Sequence, residues 1–138
     1  MSATIRRASY FYLMVQDRPG EAYRLLSELA SGQVDLLAFN AFPTGPMHTQ
    51  LALFPEDPDR LVQLARTSGM ELSGPHHAIL IQGDGDLGAL AGIHRTLSDA
   101  GINVYTAQGV ADGRGGFGYL IYIRPEDFER AAGLLGAA

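Results

Sequence analysis

Val15-Gln16-Asp17-Arg18-Pro19-Gly20-Glu21-Ala22 is where an apolar strand, Tyr10 to Val15, stops and an amphipathic helix begins. Pro19 fixes a backbone angle suited to a first helical turn, and acidic side chains favour a helix start. From Ala22, the apolar residues Leu25, Leu26, Leu29 and Ala30 have the spacing of one helical face, and Ser31-Gly32 ends the run. A variant of the stretch returns as Ile81-Gln82-Gly83-Asp84-Gly85-Asp86-Leu87-Gly88. Both copies put an acidic side chain, glycine and helix-start amides at the tip of a strand, where backbone groups can hold a small polar molecule.

Working outward, the first strand extends back through Ile5. Val34 to Phe42 and Met47 to Phe54 read as a hairpin around Pro43-Thr44-Gly45-Pro46, and a helix starting at Pro55-Glu56-Asp57-Pro58 carries Leu61, Leu64 and Ala65. Gly69 ends it, and Met70 to Leu72 is expected to be a short fourth strand. The pattern then restarts. His77 to Gln82 is a strand, and Leu87 to Ala100 a helix with Leu90, Ile93, Leu97 and Ala100. A strand runs on through Gln108, then a glycine-rich loop from Ala111 to Gly116, then the alternating strand Phe117 to Ile123. Pro125-Glu126-Asp127 opens a last helix with Phe128, Ala131, Ala132 and Leu135. Gly20 with Gly88, Gly32 with Gly101, and Pro55-Glu56-Asp57 with Pro125-Glu126-Asp127 recur at nearly constant offset, the mark of an internal repeat. Residues 1–73 and 74–138 are therefore expected to be two units.

The bulk composition narrows the function classes. Hydrophobic residues at 46% and charged residues at 18% describe a chain that can bury a core. Units of about 65 to 70 residues are marginal alone and should share a sheet edge or pack together. A net charge of -5 gives no electrostatic reason to expect nucleic acid or an anionic membrane. The absence of cysteine excludes disulfides, thiol catalysis and Cys-type zinc sites. No signal peptide or membrane span is expected, since the longest apolar runs are strand length.

The order strand, helix, strand, strand, helix in each unit, with Asp17-Arg18-Pro19-Gly20 after one strand and Gly101-Ile102-Asn103-Val104 after a helix, resembles the ACT domain as a tandem pair over about 10–73 and 76–135. The resemblance implies an α+β fold of two ferredoxin-like βαββαβ units, with antiparallel sheets and helices on one face. The chain ends soon after its last helix, so the second unit is expected to lack its last strand, to have an open edge covered by a subunit, or to borrow the N-terminal residues near Ile5. The resemblance also implies a cytoplasmic, stand-alone regulatory protein that binds an amino acid or similar small ligand. Such a protein would need no cofactor, form a homodimer and act on a partner enzyme rather than as a catalyst. The family's ligand position maps to Asp17, Pro19, Gly20, Glu21 and Ala22 in the first unit. In the second it maps to Asp84, Gly85, Leu87, Gly88 and Ala89, with Asn40 and Asn103 on the second strands. Asp or Asn oxygens would accept from an ammonium group, and helix-start amides would donate to a carboxylate. The second copy departs from the motif, having Asp86-Leu87-Gly88 where the proline should stand.

Each of these residues also has a plainer reading, since Asp17 and Pro19-Gly20 suit an ordinary helix cap and Asp84 a tight corner. Two other functions compete. One is a small metal-dependent lyase or dioxygenase of paired βαβββ modules, with His48 and His77 as ligands. Its mark would be one helix per unit, and no two histidines have the helical i, i+4 spacing that favours chelation. The other is an interaction module working through exposed sheet edges.

Overall fold

The computed structural model describes residues 3–138, apart from the side chain of Ala89. Strand β1 (Ala3–Gln16) alternates as its sequence demands: Phe11, Leu13 and Val15 face one core, while Tyr10 and Tyr12 turn to the opposite face. The chain forms two compact units, Ser9–His76 and residues 3–8 with His77–Ala138. Strands β1 and β4 (Ser73–Asp84) each contribute to both.

The first unit holds the second part of β1, α1 (Glu21–Ser31), β2 (Leu36–Pro43), β3 (His48–Pro55), α2 (Pro58–Ser68) and the start of β4. Its strands lie in the order β2-β3-β1-β4. Phe11 and Phe39 both face Leu53 across antiparallel pairings. Against Phe11, Leu51 and Leu53 pack Leu25 and Leu29 of α1 and Leu61 of α2. The helix-free face carries an aromatic cluster in which the Tyr10 ring stacks on Phe54 at 4.8 Å and approaches Tyr12 and His76.

Two expectations change here. Leu26 is 39% exposed and Ala30 is exposed, because the buried stripe of α1 is Glu21, Leu25 and Leu29, and one residue further on rotates a side chain by about 100°. Met70 to Leu72 form no strand. Gly69 closes α2 in a left-handed conformation, and the Met70 amide donates to Ala65 O at 3.1 Å, so it is spent on the helix end rather than on a sheet ladder. Strand β4 begins only at Ser73.

The second unit contains the rest of β4, a 3-10 turn (Leu87–Leu90) running into α3 (Ala91–Asp99), β5 (Thr106–Ala111), β6 (Gly116–Tyr122) and α4 (Pro125–Leu135). With residues 3–8 of β1 its order is β1-β4-β6-β5. Ile79, Ile81, Phe117 and Ile121 of the strands meet Leu97 of α3 and Phe128 and Ala131 of α4. The last strand of this unit is the N-terminal segment. Ala138 N donates to Ile5 O and Arg7 N to Ala138 O, both at 3.0 Å, and Ile5 packs on the core. Borrowing is thus the outcome among the alternatives left open by the sequence. The helix expected from Leu87 to Ala100 starts as 3-10, and Asn103 lies in the loop before β5 rather than on a strand. The first unit runs strand-helix-strand-strand-helix-strand, and the second reaches the same ferredoxin-like arrangement of four strands and two helices with its sixth element supplied by the N-terminal segment.

Candidate functional site

The turn between β1 and α1 exposes Asp17, Arg18, Pro19 and Gly20 together. Asp17 N donates to Met47 O at 2.8 Å, which ties the turn to the β2–β3 loop. Gly20 is the N-cap of α1, with φ 91°, a conformation that glycine adopts without strain, and its carbonyl accepts from Arg24 N at 2.9 Å. Among the described residues no side chain caps the first turn of α1. Its leading amides therefore lack the partner that Asp57 gives α2, where Oδ1 accepts from Asp59 N and Arg60 N. Asp17 does not cap the helix, so the plainer reading of this residue fails here.

Glu21 is the one charged residue on the buried stripe, 8% exposed. Arg18 Nε reaches its Oε1 at 2.6 Å and an Arg24 terminal nitrogen reaches its Oε2 at 2.5 Å. The Arg18 hydrogen bond, helped by the charge of Arg24, holds its carboxyl below the ordinary carboxylate value against the opposing effect of desolvation. Glu21 is thus occupied by arginines within the turn. Ala22 is exposed beside it.

A cavity of about 460 Å³ opens next to this turn, bounded by Val15, Glu21, Arg24 and Glu28 on one side and by the Ser68–Glu71 segment on the other. Sequence reasoning missed the two arginines, although their i, i+3 spacing on either side of Glu21 was a readable signal. It had no local signal for Glu71, which only the path of the chain after α2 brings to the groove.

Asn40 is not brought to the turn within this unit. It pairs with Ala52, which pairs with Tyr12, four residues before Gln16, so it lies roughly 13 Å further along the sheet.

The second turn is built differently. Asp84 ends β4 opposite Gly116, and Gly85, with φ 106°, donates from its amide to Gly115 O at 2.7 Å. Leu87 begins the 3-10 turn and packs over Gly109 of β5, where an added Cβ would lie 3.1 Å from Leu87 Cδ2 and 2.5 Å from Tyr119 Cδ1. Gly88 sits close to the Asp86 carboxylate. The backbone of Ala89 continues the turn, and its side chain lies outside the described residues. Asn103 is remote from this turn, because Thr106 pairs with Tyr122 at one end of β6 and Asp84 with Gly116 at the other, roughly 20 Å apart. The structure thus groups the candidates of each turn with one another and leaves each asparagine apart from the turn of its own unit.

The glycine-rich β5–β6 loop is ordered by Asp112, whose Oδ1 accepts from Arg114 N at 2.6 Å and Gly116 N at 3.0 Å. Those backbone bonds lower its pKa. The histidines serve local contacts. His76 lies against Tyr10 and Tyr12, His77 against Phe128, and His94 Nε2 is 2.7 Å from the Tyr119 hydroxyl, while His48 is exposed at the start of β3. Among the described residues no group of three or more His, Cys, Asp or Glu is arranged to hold a metal, and no helix is long and apolar enough to cross a membrane.

Solved structures share this fold. Protein BT0572 from Bacteroides thetaiotaomicron is 17% identical with a TM-score of 0.77, covering 97% of this chain and 88% of that one. The ligand-free regulatory subunit of aspartate kinase from Thermus thermophilus is 17% identical with a TM-score of 0.65, covering 99% and 95%. A structure of aspartokinase alpha and beta subunits is 19% identical with a TM-score of 0.61, covering 98% and 95%. No protein-family model and no curated protein sequence matches the chain. At these identities the likeness establishes the fold, and it is the paired ACT-like arrangement that the sequence resembles.

Proposed function

We propose that this chain is a regulatory protein that binds an amino acid or a similar small zwitterion at the Asp17–Ala22 turn and reports its level to a partner enzyme in the cytoplasm. The observation that carries the reading is the uncapped start of α1, with the exposed Asp17 beside it. Backbone amides there suit a carboxylate, and Asp17 suits an ammonium group. Glu21, held by Arg18 and Arg24, keeps the turn in shape rather than meeting the ligand. The fold shared with regulatory subunits of aspartate kinase supports a role in regulation rather than catalysis, and two helices per unit speak against paired βαβββ modules. In the second unit Leu87 fills the corner over Gly109, which supports a packing role for that turn and binding at the first alone. Homodimerisation, with each copy offering one such turn, completes the proposal.

A thermal-shift screen of the twenty amino acids tests it. A true ligand at a hundredfold excess over its dissociation constant adds about 2.7 kcal/mol of stability. Asp17→Ala should abolish that shift without altering the melting temperature of the free protein. No shift with any amino acid at millimolar concentration would sink the reading.

A further inference from the structure

In the first unit β1 outruns its neighbour β4. The two strands run in opposite directions: Thr4 Oγ1 donates to Gln82 O near one end, while a Cβ added to Gly74 would lie 2.9 Å from Tyr10 O near the other. Strand β4 begins at Ser73, one residue before that contact. Met14, Val15 and Gln16 therefore continue past its start, paired on one side only, with Gln50, Thr49 and His48 of β3. Their other backbone edge is without a strand among the described residues of this unit. The Met14 side chain turns to the helix-free face, where Thr44 Oγ1 meets its Sδ at 3.8 Å, so Met14 lines the 460 Å³ cavity with its main chain. The register in which Asp17 N donates to Met47 O turns the Val15 amide and carbonyl to β3, and Gln16 O accepts from Arg18 N at 2.9 Å, so the free edge offers the Met14 amide and carbonyl and the Gln16 amide. Floored by apolar Leu13, Val15 and Leu25, these groups are a short template for another strand.

The charge of the walls selects what that strand should be. Three carboxylates, Glu21, Glu28 and Glu71, line the groove against one guanidinium, Arg24, and Arg24 is committed to Glu21. Glu28 and Glu71 thus carry the surplus negative charge. We infer that the groove takes an extended basic peptide segment, which adds to the free edge of β1 with its Lys or Arg side chains towards Glu28 and Glu71. Main-chain hydrogen bonds would supply the docking and the two carboxylates the choice of partner. The edge of β2, by contrast, is protected by a bulge between Leu36 and Ala38 and ends on Pro43. This inference is independent of amino-acid binding at the Asp17 turn.

Fluorescence anisotropy on the full chain with a labelled acetyl-Lys-Val-Lys-Val-Lys-amide tests it. Controls are the same peptide with Glu in place of Lys, and the Lys peptide N-methylated at alternate residues to remove its donors. Saturable binding of the Lys peptide alone is expected, and Glu28→Gln with Glu71→Gln, checked for folding by circular dichroism, should weaken it roughly tenfold. Equal binding of the N-methylated peptide would reduce the effect to charge attraction and overturn strand addition. Undiminished binding by the double variant would overturn the site. A dimer that the Lys peptide dissociates in sedimentation would make a second copy the natural occupant and overturn the basic partner.

Discussion

The two strand-to-helix turns start from similar residues and end as different devices. At Asp17–Gly20 the chain passes through a left-handed glycine into a regular α-helix whose first turn is open, with a buried glutamate held by two exposed arginines. At Asp84–Gly88 the chain enters a 3-10 turn, and the side chain of Leu87 occupies the space over Gly109. One turn is fixed by electrostatics and leaves its backbone accessible, while the other is anchored by buried Leu90 and sets the partly exposed Leu87 side chain against Gly109. A doubled motif need not mean a doubled site, because the residues just after the acidic one decide whether the helix start is offered or filled.

Substitutions can break this comparison. The largest effect should come from Leu90→Ala, which removes a 2% exposed side chain that anchors the 3-10 turn in the core. A loss of about 2–5 kcal/mol in denaturant unfolding is expected. Next is Gly109→Ala, whose methyl would overlap Tyr119 and press on Leu87, at a cost of about 1–3 kcal/mol by the same measurement. A neutral result there would show that the Tyr119 ring and the Leu87 side chain yield easily, and that the space beside the second turn is not tightly filled. Gly20→Ala meets no neighbouring atom, so its cost should be only the left-handed backbone, about 1 kcal/mol.

The smallest effect concerns charge. Glu21→Gln should lower stability at neutral pH and should do so less in high salt, since both arginines are exposed. The Glu21 pKa is depressed in the folded state, so its contribution is present above the ordinary value of 4.5 and is lost as pH falls through the depressed one. The difference between Glu21→Gln and the parent should therefore shrink as unfolding is followed to acid pH. A difference independent of pH would mean that Glu21 acts through packing rather than through its charge.

The second unit shows where local reading stops. Its helices, its hairpin and the Phe128, Ala131 and Ala132 face follow from periodicity, because each depends on neighbours within a few residues. Its last strand comes from the opposite end of the chain, and no pattern near Ala138 announces that Ile5 and Arg7 will pair with it. The candidate site divides in the same way. Asp17, Pro19, Gly20, Glu21 and Ala22 are grouped because they lie within six residues of the chain, whereas Asn40 and Asn103 depended on strand register and loop length, and each lies away from the turn of its own unit.

By itself the sequence determined the four helices, most of the strands and the location of both turns, since hydrophobic spacing, proline and glycine act on the backbone locally. Tertiary structure alone decided that residues 3–8 complete the second unit, that Glu21 is buried between arginines, that Leu87 covers Gly109 and that Glu71 reaches the groove beside α1. These outcomes join residues distant in the chain or depend on which way a side chain turns, and packing against the rest of the unit sets both.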